Sequence, residues 1–278
     1  MNYFLNNFFL FVSGCLLLSG CSFRSVSKSK NIVYNPEHQL QLNVFSPKKI
    51  SNPKEVFVFI HGGNWQRGKK SIYNFLGKRM AKKNIVTVII DYRKYPLAAY
   101  KEMTSDAASS IKWVKQNIST YGGDTNKIYI SGHSAGGHLA ALVATDEQYF
   151  NALNMKNPVK GVILIDAFGL DMYNYLMKED NYKKEVYHSV FTKDPDTWKK
   201  ASPIYHLHKD MPPFMIYVGG KTYPNIIKGS NDFLVPLKKY QASAGIITVK
   251  GARHIPMIFN FLNPRKKAYK EIIDFMSN

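Results

Sequence analysis

The chain has 278 residues, 45% of them apolar and 14% aromatic, which excludes a disordered or fibrous protein and suffices for one globular domain with a sizeable core. Its 38 Lys and Arg against 19 Asp and Glu give a formal charge of +19, a balance that invites a nucleic-acid partner. The basic residues, however, fall in scattered pairs such as Lys69-Lys70 and Lys199-Lys200 rather than along one helix or between stacking aromatics. No nucleic acid is expected as a partner; a solvated surface lying near anionic lipid accounts for the charge.

The first 20 residues are largely apolar and give way abruptly to a polar, basic stretch, the pattern of an export signal rather than of a membrane span inside a fold. Leu18-Ser19-Gly20-Cys21 resembles a bacterial lipobox, in which cleavage precedes the cysteine and the cysteine carries lipid. The expectation is a lipoprotein-type signal peptide over 1–20, lipid attachment at Cys21, and an exported protein anchored to a membrane on its periplasmic or cell-surface side. Val12-Ser13-Gly14-Cys15 is a second, less well placed candidate, and the n-region lacks Lys or Arg; an ordinary signal peptide or uncleaved anchor is the alternative. Cys15 and Cys21 are the only cysteines, so a chain cleaved before Cys21 has no pair for an internal disulfide.

Residues 21–38, rich in Ser and Lys without apolar period, read as a flexible tether, and the folded domain as 39–278. Within it, runs rich in Val, Ile and Tyr at 40–46, 55–63, 85–92, 127–133, 159–166, 213–220 and 246–254 predict strands. Helix-compatible segments at 71–84, 103–119, 135–145 and 265–277 lie between or after them. Strands apolar almost throughout, alternating with helices, predict an α/β fold with a mostly parallel sheet covered on both faces. The interval 167–212 breaks the rhythm, with no convincing strand and many aromatics. An excursion that long predicts a helical cap insertion at about 170–212. Its Tyr173, Tyr175, Tyr187, Phe191 and Trp198 suit an apolar or sugar-stacking pocket, or equally the cap's own core.

The run Tyr129-Ile130-Ser131-Gly132-His133-Ser134-Ala135-Gly136 places Gly-x-Ser-x-Gly between a predicted strand and a predicted helix. That is a nucleophile elbow, whose tight turn needs small flanking residues and lifts the Ser134 hydroxyl to a helix N-terminus. Upstream, His61-Gly62-Gly63-Asn64-Trp65 follows an apolar strand, where acyl transfer needs backbone donors for a developing oxyanion. The amides of Gly63 and Asn64, with that of Ala135, could supply them, while His61 orders the loop by hydrogen bonding. His254 closes the last strand run in the order Ser, acid, His. His133 and His138 flank the elbow, His188, His206 and His208 fall in the cap, and His38 precedes the core; of these only His206 and His208 are weighed as substrate contacts.

"HGGNW", "DYRKYP", "YGGDTNKIYISGHSAGGHLA" and "GARH", in order from about Val56 to the end of the chain, resemble the α/β-hydrolase superfamily, specifically its hormone-sensitive-lipase-like and feruloyl-esterase-like (BD-FAE-type) branch. The resemblance implies a serine hydrolase of carboxylic esters, with no metal or organic cofactor, Ser134 as nucleophile and His254 as base. It departs at the acid. The family places it just after the penultimate strand, where this chain has Thr222, which cannot carry the charge that stabilises an imidazolium.

Asp232, in "GSNDFLVP", is one replacement, but it stands only 22 residues before His254 and falls inside a helix beginning near Asn225 unless Pro236 breaks that helix. Asp166, ending the strand run at 159–166, would project from the active edge of the sheet and is the preferred acid, with Asp171 a weaker alternative at the cap entrance. The expected chemistry is a two-step acyl transfer through Ser134, with acylated glycans or small-molecule esters as candidate substrates. An arylformamidase or other small-amide hydrolase uses the same parts. A catalytically silent binding lipoprotein of the same fold is the reading that Thr222 favours.

Overall fold

In a computed structural model of the protein, residues 25–262 and 267–277 are described. The expected signal peptide, Cys15 and the expected lipid site Cys21 lie outside the described residues. In chain order the strands are β1 (Val26–Asn35), β2 (Leu40–Pro47), β3 (Lys54–Ile60), β4 (Val86–Ile90), β5 (Gly123–His133), β6 (Val159–Ile165), β7 (Phe214–Gly219) and β8 (Ile246–Val249). The helices are α1 (Asn74–Ala81), α2 (Tyr100–Asn117), α3 (Ala135–Thr145), α4 (Gln148–Asn151), α5 (Met172–Lys178), α6 (Asn181–Phe191), α7 (Pro195–Lys200), α8 (Pro224–Leu237), α9 (His254–Met257) and α10 (Lys267–Ser277).

The eight strands form one sheet in the order β1-β2-β4-β3-β5-β6-β7-β8. β1 pairs antiparallel with β2 and β2 antiparallel with β4, while every pairing from β4 through β8 is parallel. Strands so covered have no wet face, which is why β4 and most of β3 and β6 are buried along their length. Alternate side chains of β3 go to opposite layers: Val56, Val58 and Ile60 join the core cluster that includes α2, α3 and α8, and Phe57 and Phe59 the cluster that includes α1 and α10. This is the α/β architecture predicted from the apolar runs. The interval between β6 and β7 holds α5, α6 and α7, followed by a 3₁₀ turn at Pro203–His206.

The tether expected over 21–38 is corrected: Val26–Asn35 is strand β1, paired with β2 from Val26↔Pro47 to Asn35↔Leu40. An edge strand needs no apolar period, because its Ser and Lys side chains face water while main-chain bonds to β2 hold it. The Tyr34 hydroxyl adds an anchor, donating to Asp91 O at 2.6 Å. The parallel strands β3 and β5 through β8 all present their C-terminal ends at one edge, where the predicted site residues Gly63, Asn64, Ser134, Asp166 and His254 follow them, with Thr222 in the slot after β7. Among the described residues no helix is long and apolar enough to cross a membrane.

Candidate active site

Ser134 stands between β5 and α3 with φ +56° and ψ −123°, a conformation that costs a side-chain-bearing residue about 1–3 kcal/mol and survives only where its surroundings enforce it. They do so by close approach. A Cβ on Gly132 would lie 2.1 Å from Gly136 O, and one on Gly136 would lie 2.2 Å from Ile60 O. The turn is pinned by Ser134 N donating to Ile165 O at 3.1 Å and by Gly137 N donating to Ser134 O at 2.9 Å. All of α3 is buried, so the elbow is seated on rigid core.

Three side chains from three strand ends converge. His254 Nε2 lies 2.9 Å from Ser134 Oγ, and His254 Nδ1 lies 3.2 Å from Asp166 Oδ2. With its proton on Nδ1, the ring donates to Asp166 and leaves Nε2 to accept the serine hydroxyl. Asp166 is fully buried at the end of β6, with φ +46°. The other acids do not reach. Asp232 lies within α8 with its carboxylate on Lys228 Nζ, and Asp171 caps α5, accepting from Asn174 N at 3.0 Å.

Of the expected oxyanion donors, Gly63 and Asn64 line the cleft beside Ser134, and Ala135 is the first residue of α3, where an amide has no partner inside the helix. The Gly63 turn requires glycine: its φ is +134°, and a Cβ would sit 2.3 Å from Arg67 O. His61 orders this loop, with Nδ1 2.8 Å from Gly62 O and its own carbonyl accepting from Tyr92 Oη at 3.0 Å. Behind it, burial pushes the Asp91 carboxyl up, but His61 at 3.5 Å and Lys70 Nζ at 2.9 Å outweigh that and hold it well below the usual carboxylate range.

Two histidines beside the elbow carry roles that residue type alone does not announce. His133 stacks on His254 with ring centroids 4.8 Å apart, and its Nε2 lies 3.1 Å from His254 O, so the elbow holds the His254 backbone. Burial, aided by the neighbouring His254, pushes His133 down to about 4, and the ring is therefore a neutral donor at pH 7. His138 accepts from Trp65 Nε1 at 3.2 Å and donates to Ala201 O at 2.7 Å, tying the oxyanion loop, α3 and the cap; burial sends it, too, to about 4.

The cleft above Ser134 has a volume of about 710 Å³. Its lining includes Ile72, Phe75, Ile258 and Phe259, and Tyr175 and Tyr187 of the interval between β6 and β7. Of the other aromatics considered for a pocket, Phe191 and Trp198 are buried in the core and Tyr173 packs against it, while none of the three lines the cleft. His206 and His208 do not line it either; His206 Nε2 lies 2.8 Å from Lys200 O within the cap. Ile255 and Tyr223, which do line it, went unremarked in the sequence, although Ile255 adjoins His254. Among the described residues no group of three or more His, Cys, Asp or Glu side chains is arranged to hold a metal ion.

The BD-FAE family model matches residues 42–242. An isoprenylcysteine alpha-carbonyl methylesterase of Arabidopsis thaliana is 30% identical, over 95% of this chain and 65% of its own length. Esterase LipC of Mycobacterium tuberculosis is 27% identical, over 81% of this chain and 59% of its own. The chain thus spans 59–65% of the length of these two relatives. Among solved structures, esterase B of Lactobacillus rhamnosis superimposes with a TM-score of 0.76 at 20% identity, covering 91% of this chain and 87% of that one. A Thermogutta terrifontis esterase does so with a TM-score of 0.68 at 24% identity, covering 91% and 90%. Fold and sequence agree, and the chain belongs to the BD-FAE family of the α/β-hydrolase superfamily.

Proposed function

We propose that the protein is a serine hydrolase that cleaves carboxylic esters through an acyl-enzyme. The observation that carries this reading is the continuous contact from Ser134 Oγ through the His254 ring to Asp166 Oδ2, at 2.9 and 3.2 Å. In the proposed reaction His254 takes the Ser134 proton as Oγ attacks the ester carbonyl, and the amides of Gly63, Asn64 and Ala135 receive the oxyanion. His254 then passes the proton to the leaving alcohol. In the second step it deprotonates a water that attacks the acyl-enzyme, and it returns that proton to Ser134. Asp166 fixes the ring's tautomer and stabilises the imidazolium.

The resemblance to an esterase and a methylesterase supports ester cleavage. The silent-binding alternative leaned on Thr222, and Asp166 against His254 removes that support. A cleft lined by both hydrocarbon and tyrosine side chains favours esters that join an apolar or aromatic acyl group to a hydroxylated partner, acylated glycans among them. Export and lipid anchoring at Cys21 are proposed on the sequence alone.

The test is turnover of p-nitrophenyl esters of graded chain length, beside acetylated xylan and N-formylkynurenine, by the wild type and Ser134→Ala. Ester turnover lost at least roughly 10³-fold in Ser134→Ala is expected. Turnover of N-formylkynurenine with no ester turnover would transfer the site to amide chemistry, and turnover unchanged in Ser134→Ala would remove the reading.

A further inference from the structure

Asp166 does not meet His254 unaided. Its Oδ1 accepts Gly219 N–H at 2.6 Å, and its Oδ2, the oxygen facing His254 Nδ1 at 3.2 Å, also accepts the Thr222 hydroxyl at 2.6 Å. Gly219 ends β7, the strand beside β6 in the sheet, and Thr222 lies in the turn that follows it. Asp166 and Thr222 are buried, and an ionised carboxylate only accepts, so the single hydroxyl proton is committed to it. The turn is fixed in its own right. Thr222 N donates to Gly219 O at 3.2 Å, and Lys221 N donates at 2.9 Å to the carbonyl of Ala252, two residues before His254.

We propose that Thr222 is a positioning residue: acting through Asp166, its hydroxyl holds the carboxylate in register with the imidazole. The proposal rests on the reading of Ser134, His254 and Asp166 as the catalytic set. Gly219 N–H holds one carboxylate oxygen of Asp166 and the Thr222 hydroxyl holds the other, the one that faces His254, and a charge-assisted bond from a neutral hydroxyl is among the stronger restraints available. Because the Thr222 hydroxyl already touches the oxygen that faces His254, a carboxylate carried at position 222 would stand beside the same ring nitrogen. The acid can therefore be moved from the end of β6 to the turn after β7.

The experiment measures kcat and KM for p-nitrophenyl acetate, with a thermal melt for each protein, in the full-length wild type, Ser134→Ala, Thr222→Val, Thr222→Ser, Asp166→Asn and the double variant Asp166→Asn/Thr222→Asp. Thr222→Val should lower kcat roughly 10-fold with KM within about twofold, while Thr222→Ser, which keeps the hydroxyl, stays within about threefold of wild type. The double variant should recover at least about 10-fold over Asp166→Asn alone. A folded Thr222→Val at wild-type rate, a Thr222→Ser as impaired as Thr222→Val, or a double variant with no recovery overturns the inference. If Thr222→Val does not fold, the double variant decides in the same sense. Turnover that survives Ser134→Ala is a different failure: it overturns the hydrolase reading, and this inference with it.

Discussion

Ser134 and His254 are legible in the sequence because their chemistry constrains the backbone around them. The proposed nucleophile, at φ +56° between two glycines that tolerate no Cβ, can be written in few ways, and the proposed base after the last strand has a fixed place in the chain order. Asp166 is legible more weakly, through its position at a strand end. Thr222 is not: its hydroxyl matters because the ends of β6 and β7 lie side by side, a fact of sheet order rather than of local pattern. The bond between His133 Nε2 and the His254 carbonyl joins residues 121 apart and leaves no local trace either. The placement of the acids has a direct consequence for rates. Asp166→Asn should lower kcat by on the order of 10³–10⁴, whereas Asp232→Asn, whose carboxylate sits on Lys228 at the surface, should stay within about twofold. Steady-state kinetics of the two variants side by side check this, and a crippled Asp232→Asn would contradict the assignment.

Among the elements, the strands that lie inside the sheet were readable because burial on both faces leaves continuous apolar runs. β1 was not, since an edge strand held by main-chain bonds can be written in Ser, Lys and Asn, the same residues as a tether. α8 bears on the site by what it does not do. Pro236 lies one residue from its end, so the missing N–H forfeits a single bond in the last turn and the helix runs on to Leu237. No break turns Asp232 toward the sheet edge. The helical interval between β6 and β7 shows in the sequence as an interruption of the strand rhythm, but the division of labour among its aromatics does not. Periodicity does not separate Phe191, wedged 4.9 Å from the Trp65 ring, from Tyr187, which faces the cleft.

For the whole molecule, the buried histidines that join the elbow, the oxyanion loop and the cap link stability to pH. Folding holds His133 and His138 down to about 4, against roughly 6.5 in an unfolded chain, so the unfolded state takes up protons first as the pH falls. Their contribution is therefore complete above about pH 6.5 and is lost progressively between about 6.5 and 4, by on the order of 3 kcal/mol for each. Asp91, held below its usual range, extends the loss to lower pH, because its contribution is present above about 3.9 and disappears as the folded carboxylate protonates. Urea midpoints should fall from pH 7.5 to pH 5, and His138→Gln should flatten that fall; a midpoint that holds or rises at pH 5 would contradict the assignment. The central claim concerns Ser134. Its most direct measurement is reaction of the full-length protein with a fluorophosphonate, followed by peptide mass spectrometry. One stoichiometric adduct is expected on the peptide containing Ser134, absent in Ser134→Ala and strongly slowed in Asp166→Asn; no adduct, or one on another residue, would exclude Ser134 as the nucleophile.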